Sequence, residues 1–358
     1  MENKRDNSYV GRRDFMSLIK SDREVVKVSK KSIEDMILDG AKQKLHKINI
    51  ISALNNKEQI FNTVFNWCFK ENKKILYIIN ADIEEVKILG LINKSFINCI
   101  EDENDIAYTG KVNVCTHSRA LFLKGKFDLI IYDEINSRPR YSNESIKKLM
   151  NYICNNYGTM ISYSMESIFH NELILYNLRK DKQVPIAEPR IMITRVNIEE
   201  EIPMSVYEYL EWSINTNKKV IIYAPDDEKT DNIYKYLSNI DHKLTKNIFK
   251  DITGEGNKKE LSKFLLAEYG ILVTNDFNEN YYGVHPLNVM IFFADNDNFN
   301  YKDLVYMSSK INRRSVADRE EVIFLCNSET EHMDRCKNIL RELNKRAWEE
   351  GVLKLQNK

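Results

Sequence analysis

From Lys126 to Asn136 the chain reads Lys-Phe-Asp-Leu-Ile-Ile-Tyr-Asp-Glu-Ile-Asn, and no other stretch narrows the choice of fold as much. The apolar run is too short for a helix and carries β-branched side chains, so it predicts a strand buried on both faces, as in parallel sheets. Such a sheet requires crossover helices and binds ligands outside the carboxyl ends of its strands. Asp133 and Glu134 stand at that end. One carboxylate there can hold the water shell of a Mg²⁺ while the next polarises an attacking water, which is the chemistry of nucleotide hydrolysis. The same residues also read as a buried strand followed by a polar loop.

The strand pattern extends to both sides. Apolar runs at Ile48–Ile51, Ile75–Ile79, Val112–Cys115 and Thr159–Tyr163 predict further strands. Between them, Ile60, Phe61, Val64, Phe65 and Cys68 fall at helical spacing, as do Val86, Leu89 and Ile92, and later Ile146, Leu149, Met150 and Ile153. Residues 1–46 are charged and weakly patterned, an N-terminal extension with one helix capped by Ser32. Pro185 and Pro189 mark a linker over 185–192. Beyond it the alternation restarts, with strands at Lys219–Tyr223, Gly270–Thr274, Val289–Phe293 and Val322–Leu325 and a long charged helix carrying Met333, Cys336, Ile339, Leu340 and Leu343. At 358 residues the chain exceeds what one core organises, so two α/β domains are expected, 47–184 and 193–358, with a ligand cleft between them.

Charge and cysteine usage limit the function classes. Fifty-three basic and 53 acidic residues cancel, so attraction to nucleic acid has to come from a local groove. The six cysteines are scattered with no Cys-x-x-Cys pair, which argues for a reducing compartment and against a zinc ribbon or disulfide framework. No apolar run reaches the length of a membrane span, and the polar start lacks the apolar core of a signal peptide; a cytoplasmic location is expected. The histidines have no partners at ligand spacing and read as packing or surface residues.

In their order these segments resemble a superfamily 2 helicase of the DEAD/DEAH type, and most closely the ComFA family, the DNA-uptake motors of bacterial competence. Val114-Cys115-Thr116-His117 ahead of Phe127 to Glu134 resembles the family's Thr-Thr-His segment and Walker B strand. Pro185 to Arg190 resembles its interdomain linker, Lys219 to Pro225 its fourth motif and Ile271 to Thr274 its fifth. Leu343 to Ala347, followed by Gly351-Val352-Leu353, is similar to its closing helix. The resemblance implies two tandem RecA-like domains of the P-loop NTPase type, with ATP and Mg²⁺ as cofactors. It implies catalysis by Asp133, Glu134 and an arginine finger, Arg313, with Asp133 on the Mg²⁺. Asn56, Lys57, Glu58 and Lys310 would contact the nucleotide. Thr116, His117 and Thr274 would hold single-stranded DNA, and other DNA-uptake proteins are implied partners.

The departures bear on activity. Where the family has a phosphate loop ending in Gly-Lys-Thr, this chain has Ser52-Ala53-Leu54-Asn55-Asn56-Lys57-Glu58. Both glycines are gone, and left-handed torsions at Leu54 would cost roughly 1–3 kcal/mol. Glu58 replaces the hydroxyl that ligates Mg²⁺, and Lys57 also reads as an ordinary solvated residue at a helix start. Ser164-Met165-Glu166-Ser167 replaces Thr-Ala-Thr-Pro, and Asn278 to Tyr282 replaces a stretch that should contain Glu-Arg-Gly. In the sixth motif, Tyr306 to Arg313, Lys310 keeps the charge of an arginine but not its planar fork. Arg313-Arg314 also reads as a solvent-facing basic turn. The four cysteines that many family members carry ahead of the motor are absent, so no zinc is expected. The expected function is a helicase-fold protein that binds single-stranded DNA in uptake or handling, with ATP hydrolysis weak or lost. The alternatives are an active ATP-driven translocase and a non-catalytic interaction scaffold.

Overall fold

Apolar runs bounded by turn residues become the strands of two parallel sheets. The computed structural model describes residues 31–54, 56, 59–80, 93–102, 105–179, 184–240, 247–252, 258–276, 284, 286–311, 313 and 320–353. The chain divides into two compact units, one of residues 1–52, 57–137 and 141–177, the other of 53–56, 138–140 and 178–358.

The first unit contains β1 (Lys47–Ser52), β2 (Ile75–Ile79), β3 (Ile97–Cys99), β4 (Val112–Thr116), β5 (Phe127–Asp133), β6 (Cys154–Ser164) and β7 (Leu173–Asn177). They lie in the order β3-β4-β2-β5-β6-β1-β7, and the pairs are parallel. Central strands of such a sheet have no solvent face, which is why all five residues of β2 are buried. Each fully buried Ile or Leu contributes roughly 1.5–3 kcal/mol. The described helices here are α1 (Ile33–Lys42), α2 (Asn62–Lys70), α3 (His117–Ala120) and α4 (Asn143–Ile153).

Helix α1 lies within the expected N-terminal extension over 1–46. Ser32 caps it as anticipated, accepting the Asp35 N–H, but Ile37 is fully buried and Thr63 of α2 donates to Glu34. Gly40 permits the approach to the sheet, since a Cβ there would meet Ile48 Cδ1 at 2.7 Å. The helix therefore belongs to the first unit's packing.

The second unit has β8 (Pro189–Ile193), β9 (Lys219–Tyr223), β10 (Ile248–Asp251), β11 (Gly270–Thr274), β12 (Leu287–Phe292) and β13 (Val322–Cys326), in the order β10-β11-β9-β12-β13-β8, again parallel. Its described helices are α5 (Met204–Asn215), α6 (Asp227–Ile240), α7 (Lys258–Leu266), α8 (Tyr301–Ser308) and α9 (Glu331–Glu349). Much of the expected linker over 185–192 is in fact β8, which pairs with β13 from Pro189↔Val322 to Ile193↔Cys326. A proline at the first position of an edge strand forfeits no ladder bond, so Pro189 is compatible with pairing. The core combines sheet residues such as Val220, Ile222 and Met290 with helix residues Val206, Leu210 and Leu237. The expected helix around Val86–Ile92 lies outside the described residues.

Candidate functional site

Strand β5 lies between β2 and β6 and delivers Asp133 to its carboxyl end with no exposed surface. The carboxylate is occupied there. Its Oδ1 accepts the N–H groups of Ile135 at 2.7 Å and Asn136 at 3.0 Å. Its Oδ2 accepts the Asn136 side-chain amide at 2.7 Å and the hydroxyl of Tyr77, which reaches across from β2. Burial pushes the Asp133 carboxyl upward, against the pull of these donors. Burial first, then the Asp133 charge, holds the Tyr77 phenol well above its ordinary range. Glu134 is also fully buried, and its N–H donates to the Tyr163 carbonyl at 2.9 Å.

The residues present do not fit a Mg²⁺ on Asp133. A hydrated cation needs outward carboxylate lone pairs, whereas both oxygens here already take two donors each inside the protein. Among the described residues no cluster of three His, Cys, Asp or Glu side chains suits a metal ion.

Beside Asp133 a polar network continues through the ends of β2, β4 and β5. The Ser137 hydroxyl donates to the Asp133 carbonyl and accepts the Asn80 N–H, both at 3.1 Å. The Asn80 amide donates to the Tyr132 hydroxyl at 3.4 Å, and that hydroxyl meets His117 Nδ1 at 2.8 Å. His117 stacks on Tyr141, with centroids 3.6 Å apart and planes at 10°, and its Nε2 lies 3.3 Å from Ser145 Oγ. Only 2% exposed, its imidazole is pushed down by burial to about 4 and is neutral at pH 7. The ring of His117, an expected nucleic-acid contact, is engaged by Tyr132, Tyr141 and Ser145. Thr116 is half-buried, caps α3 by accepting the Arg119 N–H, and lies 3.0 Å from the Ser118 hydroxyl. Tyr77, Tyr132 and Tyr141 complete this network, and sequence reasoning passed over them. The available signal was a phenol inside an otherwise aliphatic strand, as in Ile-Leu-Tyr-Ile-Ile.

In the second unit, Thr274 ends β11 fully buried, its hydroxyl accepting the Asp276 N–H at 2.9 Å and its carbonyl the Ala224 N–H at 2.9 Å. No surface remains on it for a ligand. Lys310 is fully buried, its ammonium 4.1 Å from the centroid of the Tyr306 ring, and so is not presented to a nucleotide. Arg313 donates Nε to the Glu320 carbonyl at 3.0 Å, with a second bond from the same guanidinium. That geometry ties Arg313 to the residue two places ahead of β13. Asn56 is 2% exposed, and Lys57 and Glu58 lie outside the described residues.

Two parallel α/β sheets in tandem with these connections have the fold of two RecA-like domains. Among solved structures the chain is similar to the DEAD-box helicase Mss116 bound to single-stranded RNA and UDP-BeF, with a TM-score of 0.50 and 14% identity over 82% of this chain and 69% of that one. It is also similar to S. cerevisiae Dbp5 bound to RNA and ADP BeF3, with a TM-score of 0.49 and 11% identity over 88% of this chain and 91% of that one. No family model and no curated protein matches it. At 14% identity the likeness to Mss116 is one of fold.

Proposed function

We propose that this is a helicase-fold protein that binds single-stranded nucleic acid, in the DNA uptake or handling role implied by its ComFA-like motif order, with ATP hydrolysis weak or lost. The carrying observation is the state of Asp133. A carboxylate that satisfies Tyr77, Ile135 and Asn136 inside the fold cannot also order the water shell of a metal without breaking those bonds. The phosphate loop, without its glycines, supports the same reading. Nucleic-acid binding does not depend on that chemistry, because single strands are held through phosphate and sugar by hydroxyls and amides at strand ends. Thr116 and Ser118 offer such hydroxyls at the end of β4.

The test is a phosphate-release assay with and without a single-stranded oligonucleotide, beside anisotropy of the labelled strand at low salt. Hydrolysis at least about tenfold slower than in a motor with a complete loop is expected, a barrier higher by about 1.4 kcal/mol or more. Binding should weaken as salt rises. Fast strand-stimulated turnover that vanishes in Asp133→Asn would restore the translocase. Absence of any anisotropy change with DNA and with RNA would leave the scaffold.

A further inference from the structure

The opposite end of the first sheet has a different chemistry. The turns that lead into five of its seven strands each hold a lysine: Lys94 before β3, Lys111 before β4, Lys73 before β2, Lys126 before β5 and Lys44 before β1. Because these strands and β6 are neighbours in the order β3-β4-β2-β5-β6-β1, the five lysines stand in a row of positions along one edge of the sheet. With roughly 4.8 Å between adjacent strands, the row is about 24 Å long.

Aromatic rings pair with four of the lysines. The ammonium of Lys111 lies 5.5 Å from the Tyr108 centroid, Lys73 5.0 Å from Trp67, Lys126 5.2 Å from Tyr152 and Lys44 5.4 Å from Tyr157. Each ammonium covers one ring face, yet Tyr157 remains 80% exposed, Tyr152 64% and Tyr108 49%. A cavity of about 70 Å³ opens among Lys42, Lys44, Lys73, Trp67 and Tyr157. Asp128 also lines it, with its carboxylate held by the Lys74 N–H at 2.9 Å and the Asn155 amide at 3.1 Å. Glu71 stands before β2 and Glu172 before β7, and the connection from β3 to β4 carries Glu101, Asp102 and Asp105. The ion pairs within this unit's described residues are Lys31–Asp39 and Lys147–Glu144, so none of the five lysines is neutralised by a carboxylate there. In a chain whose net charge is zero, this edge concentrates positive charge that repels itself.

We propose that the amino-terminal edge of the first sheet is a second track for single-stranded nucleic acid. It would hold phosphates on the lysine row and stack bases on the free faces of Tyr108, Tyr152 and Tyr157. An acidic peptide would satisfy the charge but has no use for exposed rings beside the ammonium groups, whereas every base has a π-face to lay on them. The track lies at the end of the sheet away from Thr116 and Asp133, and it stands or falls independently of the nucleic-acid contact assigned to that other end.

The full chain is titrated into oligo(dT) and oligo(U) of about 15 nucleotides, a length within known single-strand site sizes, at several salt concentrations. Lys44→Asn, Lys73→Gln and Lys126→Gln are combined in one variant, Asn being chosen at position 44 because the residue there has φ 58°. That variant should bind at least tenfold more weakly, and its log K against log salt should flatten by about 2, since each lost phosphate contact removes roughly 0.7. Tyr152→Ser with Tyr157→Ser, which keeps every charge, should weaken binding at least about fivefold while leaving the salt slope unchanged. Circular dichroism checks that both variants are folded. Folded variants that bind within twofold of the parent overturn the track, as does competition by polyglutamate equal to that of oligo(dT). If Thr116→Glu alone abolishes binding, the contact at the other end survives and the track fails. If the lysine variant alone abolishes it, the reverse holds.

Discussion

Replacing Asp133 by Asn separates two roles for a carboxylate at a strand end. In a metal-binding role the change would remove turnover and leave stability nearly intact. In the arrangement seen here, an amide NH₂ would face donors from Tyr77, Ile135 and Asn136, so Asp133→Asn should destabilise the protein by about 2–4 kcal/mol in urea titration. Tyr77→Phe should cost about 1.5–3 kcal/mol by removing one donor from a buried charge. His117 makes a pH-dependent contribution. Its folded pKa of about 4 lies below the unfolded value of about 6.5, so the unfolded chain binds the extra proton between them and stability is lost as pH falls from 6.5 toward 4. The loss is at most about 3 kcal/mol. Asp133, whose carboxyl is raised by burial, contributes with the opposite sign. The measurement is therefore the difference between the parent and His117→Gln, which should lack the His-dependent slope while keeping that of Asp133.

At the scale of elements, the joint between β1 and the segment after β6 depends on one amide. Asn49, fully buried on β1, accepts the N–H groups of Ile168 and Phe169 and the Ser162 hydroxyl, and donates to the Phe169 carbonyl at 2.8 Å. An apolar residue of similar size would leave several buried groups unpaired, each costing about 1–3 kcal/mol. Asn49→Leu should therefore lower stability by about 3 kcal/mol or more, read from the denaturant midpoint, even though leucine suits a buried strand better by composition. In the second unit, Asn300 opens α8 with a capping box, accepting the Lys302 and Asp303 N–H groups while the Asp303 carboxylate accepts the Asn300 N–H. Loss of such a cap costs about 1 kcal/mol, a contrast that scales the Asn49 effect.

For the whole molecule, restoring the phosphate loop is expected to restore nucleotide affinity without turnover. Leu54 is 4% exposed, so Leu54→Gly removes a core side chain and should cost about 3 kcal/mol or more. The triple change Leu54→Gly, Asn56→Gly and Glu58→Thr should raise ATP affinity in calorimetry yet give no turnover, because Asp133 stays committed inside the sheet. Strand-stimulated phosphate release by this variant would overturn that expectation. The choice of DNA-binding mutant follows from burial in the same way. Glutamate at the fully buried Thr274 should unfold the second unit, whereas at the half-buried Thr116 it should leave the fold intact and, if the proposed contact holds, repel a phosphate.

The sequence by itself determined the inner strands, because a strand buried on both faces needs a continuous apolar run and nothing else in a soluble chain does. Runs such as Ile75–Ile79, Lys219–Tyr223 and Gly270–Thr274 match their strands end to end. The strands it did not disclose are β3, β7, β8 and β10, and these are the edges of the two sheets. An edge strand has partly exposed side chains, as the mixed burial of β3, β7 and β8 shows, so its apolar signal is diluted. At the site, the residue types at the end of β5 were legible while their engagements were not. Asp133 reads as a metal-binding carboxylate until β2 is placed beside β5 and Tyr77 donates to it, and His117 reads as a ligand contact until Tyr132, Tyr141 and Ser145 surround it. Whether a polar side chain at a strand end is offered outward or spent inward depends on donors from neighbouring strands and helices, and only tertiary structure brings those donors within hydrogen-bonding reach.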